Sequence, residues 1–276
     1  MTYAAVMTHV QADPDDTPRL ACAIDIARRF DADLIGVAAE MIPPLAFDSG
    51  FYSVEADWVT AMRELIEGRL KEARKAFRTA TADFGSERAT FACGLQLPDP
   101  AVAAASRAAD LIVAGGAPHK HRDAYRDCAP AELAITSGRP VLVAPPAPKP
   151  LSARQVVLAW KDTREARRAM TDAMPFLEAA DRVVVLAVCP PSEAEAARQQ
   201  IDDVARALTR RGVTAEAKLV EHTHPDGFQI LRQASLEGAD LIVCGAYGHS
   251  RLGEWVFGGV TSDLLSQEDV YLLFSH

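Results

Sequence analysis

Apolar positions along this chain follow two rhythms. Short continuous runs at residues 34–39, 110–114, 155–160, 182–189 and 240–244 are too brief for helices and read as strands buried on both faces. Residues 3–9, 88–93, 140–144, 215–220 and 270–274 give further, weaker strand patterns. Between them the spacing turns helical. Leu20, Ile24 and Ala27 share one face of a helix that Asp16 or Thr17 would cap and that ends at Phe30. Trp58, Met62, Leu65, Ile66 and Leu70 mark a long helix over 54–84, and 98–108, 163–179, 193–211 and 225–236 complete the series, with a last helix after Gly259. Residues 41–53 read as irregular, because the pair Pro43-Pro44 stops regular structure. Strands alternating with helices predict an α/β fold with a doubly wound, mostly parallel sheet.

The alternation restarts in mid-chain. Prolines 145, 146, 148 and 150 interrupt it with a stiff, extended stretch, after which the same order of elements returns. The second pass repeats the first at an offset of 130 residues. Asp110-Leu111-Ile112-Val113 recurs as Asp240-Leu241-Ile242-Val243, Gly115 meets Gly245, His119 meets His249, Tyr125 meets Trp255, and Val141-Leu142-Val143 meets Tyr271-Leu272-Leu273. The reading is a tandem duplication: one α/β domain over 1–146, a linker at 147–152, and a second domain over 153–276.

Composition narrows the function classes. A net charge of −9 argues against nonspecific binding to nucleic acid or to an anionic membrane, both of which need clustered cations. No apolar run approaches the ~20 residues of a membrane span, and residues 1–7 carry no basic, then apolar, leader pattern, so a cytoplasmic protein is expected. The five cysteines are scattered without a Cys-x-x-Cys pair, and Cys93, Cys189 and Cys244 sit in strand-like surroundings. His119/His121 and His222/His224 form two His-x-His pairs, but no third or fourth ligand follows at suitable spacing, so no metal site is expected.

The candidate chemistry lies after residues 240–244. The apolar run breaks at Gly245, Gly248 follows three residues later, and Gly258-Gly259 open a helix beyond. A strand feeding a glycine-rich loop that returns at a helix N-terminus brings backbone N–H groups and partial positive charge to an anion. The same glycines would also serve tight turns and close helix–sheet packing, which is the purely structural reading. Catalysis has little support: there is no Gly-x-Ser-x-Gly elbow, no Walker-type lysine and no readable carboxylate pair, leaving at most slow ATP hydrolysis.

The spacing Gly245-x-x-Gly248, nine residues, Gly258, followed by Val260-Thr261, together with the duplication, resembles the universal stress protein family. That resemblance implies two five-stranded domains of strand order 3-2-1-4-5, the adenine nucleotide alpha hydrolase-like arrangement, with ATP and Mg at the carboxyl ends of strands one and four. Carried onto this chain, Asp162 and Val188 would hold the adenosine, and Gly245, Tyr247, Gly248, Gly258, Gly259, Val260 and Thr261 would wrap the phosphates. Gly259 stands where the family's nucleotide binders usually place Ser or Thr, which removes one hydroxyl. In the first domain Pro118, Cys128 and Ala129 replace motif residues, so no phosphate loop is expected there. The resemblance further implies that the last strands, 141–143 and 271–273, pair to make an intramolecular pseudo-dimer, and it leaves a further homodimer open. The alternative reading is a stress or interaction protein that binds no nucleotide.

Overall fold

The structure, a computed structural model, describes residues 2–13, 17–44, 52–116, 122–146, 150–246, 259–267 and 269–276. The first half runs β1 (Ala5–His9), α1 (Thr17–Phe30), β2 (Asp33–Glu40), α2 (Tyr52–Ala80), β3 (Ala89–Leu95), α3 (Pro98–Ala105), β4 (Leu111–Gly115), α4 (Pro130–Thr136) and β5 (Val141–Ala144). The second runs β6 (Gln155–Ala159), α5 (Arg164–Asp172), α6 (Met174–Ala179), β7 (Arg182–Cys189), α7 (Ala194–Thr209), β8 (Ala215–Glu221), α8 (Asp226–Leu236), β9 (Leu241–Gly245), α9 (Gly259–Leu265) and β10 (Tyr271–Ser275).

All ten strands form one sheet in the order β3-β2-β1-β4-β5-β10-β9-β6-β7-β8. Each half therefore has the expected 3-2-1-4-5 order, and every pair inside a half is parallel. The central runs are uniformly apolar because both faces of the sheet are covered. Successive side chains alternate between two cores. Leu111, Val113, Leu241 and Val243 pack beneath α1, α2, α5, α6 and α7, whereas Ile112, Ala114, Ile242 and Cys244 pack beneath α3, α4, α8 and α9.

The halves meet through an antiparallel pair, β5 with β10, in which Val141, Leu142 and Val143 stand opposite Phe274, Leu273 and Leu272. The helix layer reinforces this seam. Tyr3, Phe30 and Phe176 pack edge-on or tilted with centroids 5.1–5.6 Å apart, and the Tyr3 hydroxyl donates to the Asp172 carbonyl at 2.7 Å. Arg29 lies over Phe30 and Phe176 and donates to the carbonyls of Leu151 and Ser152.

The repeated aspartates explain themselves here. Asp110 Oδ2 accepts from the N–H groups of Ala4 and Ala5, and Asp240 Oδ2 accepts from Ser152 N, Ser152 Oγ and Ala153 N. Each carboxylate, placed just before the fourth strand of its half, ties down the entry to the first strand. Ala153 sits at φ 47°, a strained value for a residue with a Cβ, so its bond to Asp240 also holds a disfavoured turn.

Two local expectations are corrected. Residues 163–179 make two helices, because Pro175 in the first turn of α6 cannot continue the hydrogen-bond ladder of α5. Residues 106–108 tighten into a 3₁₀ turn after α3. β7 spans Arg182–Cys189, the bounds its apolar run implied, with Val188 as its penultimate residue. The proposed cap Asp16 lies outside the described residues, and α1 starts at Thr17.

His9, at the carboxyl end of β1, is fully enclosed. Its Nε2 lies 3.3 Å from the Ala39 carbonyl oxygen. Burial, reinforced by the Arg19 guanidinium, pushes its pKa down to about 3. A folded-state value below the unfolded one, ~6.5, means that the unfolded chain takes up the proton first. This contribution to stability is complete above pH ~6.5 and is lost toward the folded pKa, at ~1.4 kcal/mol per pH unit.

Two predictions follow from these contacts. Asp240→Ala removes three bonds to a charged acceptor and should cost ~2–4 kcal/mol in urea unfolding, with Asp110→Ala costing less. Between pH 6.5 and 5, the unfolding free energy of the parent chain should fall ~2 kcal/mol more than that of His9→Asn.

Candidate functional site

β6 lies between β7 and β9 as their parallel neighbour; α5 and α6, which follow β6, pack on one face of the sheet, whereas α9, which follows β9, packs on the other. This is a topological switch point, where an open α/β sheet leaves a crevice outside its strand ends. Asp162 follows β6, Val188 nears the end of β7, Gly245 ends β9, and Gly259, Val260 and Thr261 form the first turn of α9. The topology thus brings these predicted residues to the carboxyl end of the sheet. Tyr247, Gly248 and Gly258 lie outside the described residues, as do His119, His121, Pro118, His249 and Trp255.

Gly245 has a packing reason to be glycine. A Cβ there would stand 2.6 Å from the Glu165 carbonyl carbon and the Ala166 nitrogen, so the first turn of α5 rests directly on this strand end. Gly259 is different, since a Cβ would meet nothing within 4 Å among the described residues. Thr261 is buried, and Val260 is partly buried against the core shared by α3, α4, α8 and α9. As in any helix, the first-turn N–H groups of α9 have no acceptor within the helix.

Asp162 does not cap α5. Thr163 takes that role, its hydroxyl accepting from Ala166 N. Asp162 instead accepts from Arg167 Nη2 at 2.5 Å, in a pair whose members are both about half exposed. Beside it, Glu165 is enclosed. Burial pushes its carboxyl up, but bonds from its own N–H, Thr163 and Arg164 outweigh that and hold it below the usual range. Sequence reasoning missed Trp160, immediately after β6, which is buried with an indole N–H that has no partner among the described residues.

The corresponding crevice of the first half is filled by the chain itself. A Cβ on Gly115 would lie 3.1 Å from Arg19 Nη1. Arg19 donates to the His9 carbonyl and to Gln11 Oε1, while Gln11 donates onward to the Arg126 carbonyl and Asp127 Oδ1. At the start of α4, the Ala129 N–H donates to Asp99 Oδ1 at 2.7 Å, and Arg122 pairs with the same carboxylate. Cys128 and Ala129 are buried beside it. An internal anion therefore occupies the helix start that a phosphate would use. The Pro-Asp opening of α3 recurs as Pro225-Asp226 at α8, but Asp226 is bonded to His222 at 2.6 Å.

Among the described residues no group of three or more His, Cys, Asp or Glu converges on one point. His224 packs against Phe228. Burial pushes the thiols of Cys22, Cys128, Cys189 and Cys244 upward, Cys22 to about 11, which leaves them protonated and weakly nucleophilic at neutral pH. No described helix is long and apolar enough to cross a membrane.

The model of the universal stress protein family matches residues 153–273. No protein of curated function matches the chain. Among solved structures, a universal stress protein from Archaeoglobus fulgidus DSM 4304 aligns over 98% of this chain and 95% of its own, at 14% identity and a TM-score of 0.67. A universal stress protein from Pseudomonas aeruginosa UCBPP-PA14 aligns over 99% and 93%, at 16% identity and 0.60. A universal stress protein solved in complex with cAMP aligns with 45% of this chain and 97% of its own, at 20% identity and 0.36. Residues 153–273 thus match the universal stress protein family by sequence, and along both five-stranded halves the chain has the fold of the Archaeoglobus fulgidus universal stress protein.

Proposed function

We propose that this chain is a cytoplasmic stress-response factor that binds ATP with Mg in its second half. Residues 1–146 and 153–276 act as two units joined by the 147–152 linker, and only the second takes ligand. The observation that carries this reading is the switch point between β6 and β9, from which a glycine-bounded segment leads out at Gly245 and back at Gly259 into α9.

The described residues fit such a ligand. Among the described residues nothing stands within 4 Å of a Cβ placed on Gly259, and no side chain plays the part that Asp99 plays at α4. Gly245, Tyr247, Gly248, Gly258, Gly259, Val260 and Thr261 would surround the phosphates, with backbone N–H groups as donors. Asp162 would exchange Arg167 for a ribose hydroxyl, and Val188 would face the adenosine. Among the described residues no carboxylate cluster awaits the metal, and Mg would arrive on the phosphates, which is its common mode of binding. Occupancy would then bias the partners the chain takes, with no bond-breaking step assigned to any residue.

A second reading has its own support. The Gly245 contact with α5 and the Asp162–Arg167 pair both give motif residues a structural role without nucleotide. In that reading the chain works through protein partners alone.

Calorimetric titration and thermal shift with Mg-ATP separate the two. Binding should appear in the parent chain and vanish in Gly248→Val. Gly259→Ser, restoring a hydroxyl worth ~0.5–1.5 kcal/mol, should tighten it roughly 2- to 10-fold. The absence of heat and of a shift at millimolar nucleotide would leave the second reading. Gly245→Ala should lower the melting temperature whether or not nucleotide is present, by the equivalent of ~1–3 kcal/mol of overpacking.

A further inference from the structure

The ten-stranded sheet ends at two edges, β3 and β8, and they are protected unequally. β8 carries Glu216, Lys218 and Glu221 along its length, with Arg182 paired to Glu216 and Lys218 paired to Glu237. Charges of this kind are the usual guard against unwanted strand addition. β3, with the sequence Ala-Thr-Phe-Ala-Cys-Gly-Leu, has seven residues, no charge and no proline. Among the described residues only β2 pairs with it, and Leu95 and Leu97 are exposed at its end.

Beside this bare edge runs a row of cations. Lys71, Arg74, Lys75 and Arg78 fall on one exposed face of α2 and, with Thr79, line an open hollow of about 350 Å³. Arg74 fixes where that face points, since its Nη2 lies 3.0 Å from Cys93 Sγ and its guanidinium 5.6 Å from the Phe91 ring, both on β3. Lys75 reaches Glu72 at 3.7 Å in a solvent-exposed pair, and among the described residues Lys71 and Arg78 form no ion pair. On a chain of net charge −9, this is a local reversal of sign beside unpaired backbone.

We propose that the β3 edge and the basic face of α2 together dock an extended acidic peptide of another protein. The peptide adds as an eleventh strand. Its backbone completes the free edge of β3, and alternate carboxylates face Lys71, Arg74, Lys75 and Arg78. A second copy of this chain fits the edge poorly, because antiparallel pairing of β3 with itself sets two rows of four cations side by side.

The test uses the full chain and a labelled peptide of alternating Glu and Val, followed by fluorescence anisotropy. Three results are expected together. The Glu peptide binds; Lys71→Glu/Lys75→Glu weakens it at least tenfold without changing the melting temperature; and methylating alternate peptide nitrogens, which removes strand donors but no charge, also weakens it at least tenfold. Lack of binding, equal binding of a Lys-Val peptide, or indifference to N-methylation would overturn the proposal. A dimer by sedimentation that strengthens in the Lys71→Glu/Lys75→Glu chain would assign the edge to a second copy and overturn it equally.

Discussion

The antiparallel contact of β5 with β10 is the constraint on which the rest of the architecture hangs. Each five-stranded half has its fifth strand at an edge, and an apolar edge strand such as 141–144 exposes backbone donors and acceptors that need a partner. Pairing the two within one chain buries Val141 to Ala144 and Tyr271 to Ser275 completely enough to make them core. It also makes both layers continuous, so that each of the two cores contains side chains from both halves. The Tyr3–Phe30–Phe176 cluster and the Arg29 contacts are the helix-layer counterpart of the same seam.

That symmetry of backbone does not extend to the crevices. Both halves present a switch point, yet the first closes on Arg19, Gln11, Asp99 and Arg122, with their polar groups satisfied by one another. A carboxylate already bonded to the N–H that opens α4 leaves little for a phosphate to gain, since binding one would require displacing a formed, charge-assisted bond. In the second half the corresponding aspartate turns toward His222, and the first turn of α9 carries no such internal anion among the described residues. Two halves of equal strand order thus make two unequal ends of one sheet.

The same inequality appears at the sheet edges. One is laced with ion pairs and the other left plain beside a basic helix face. Net charge, an average over the whole surface, conceals this contrast because the cations of α2 are outnumbered by carboxylates elsewhere.

The sequence by itself determined the α/β class, the repeated order of elements, the strand order implied by the family resemblance, and the pairing of 141–143 with 271–273. Buried parallel strands must be short apolar runs, and a repeat of Asp-Leu-Ile-Val at one offset is hard to produce otherwise. It also carried most of the helix positions, which depend on local periodicity. What only the tertiary structure decided is how each polar or glycine position is used, because that depends on neighbours distant in sequence. Gly245 looked like part of a phosphate loop, and its fit against α5 became visible only when residue 165 was placed over residue 245. Asp162 and Thr163 stand side by side ahead of α5, and only the geometry gave the cap to Thr163 and left Asp162 to Arg167. Asp99 carried no signal at all along the chain; its role at Ala129 exists because the fold brings two helix starts 30 residues apart into contact.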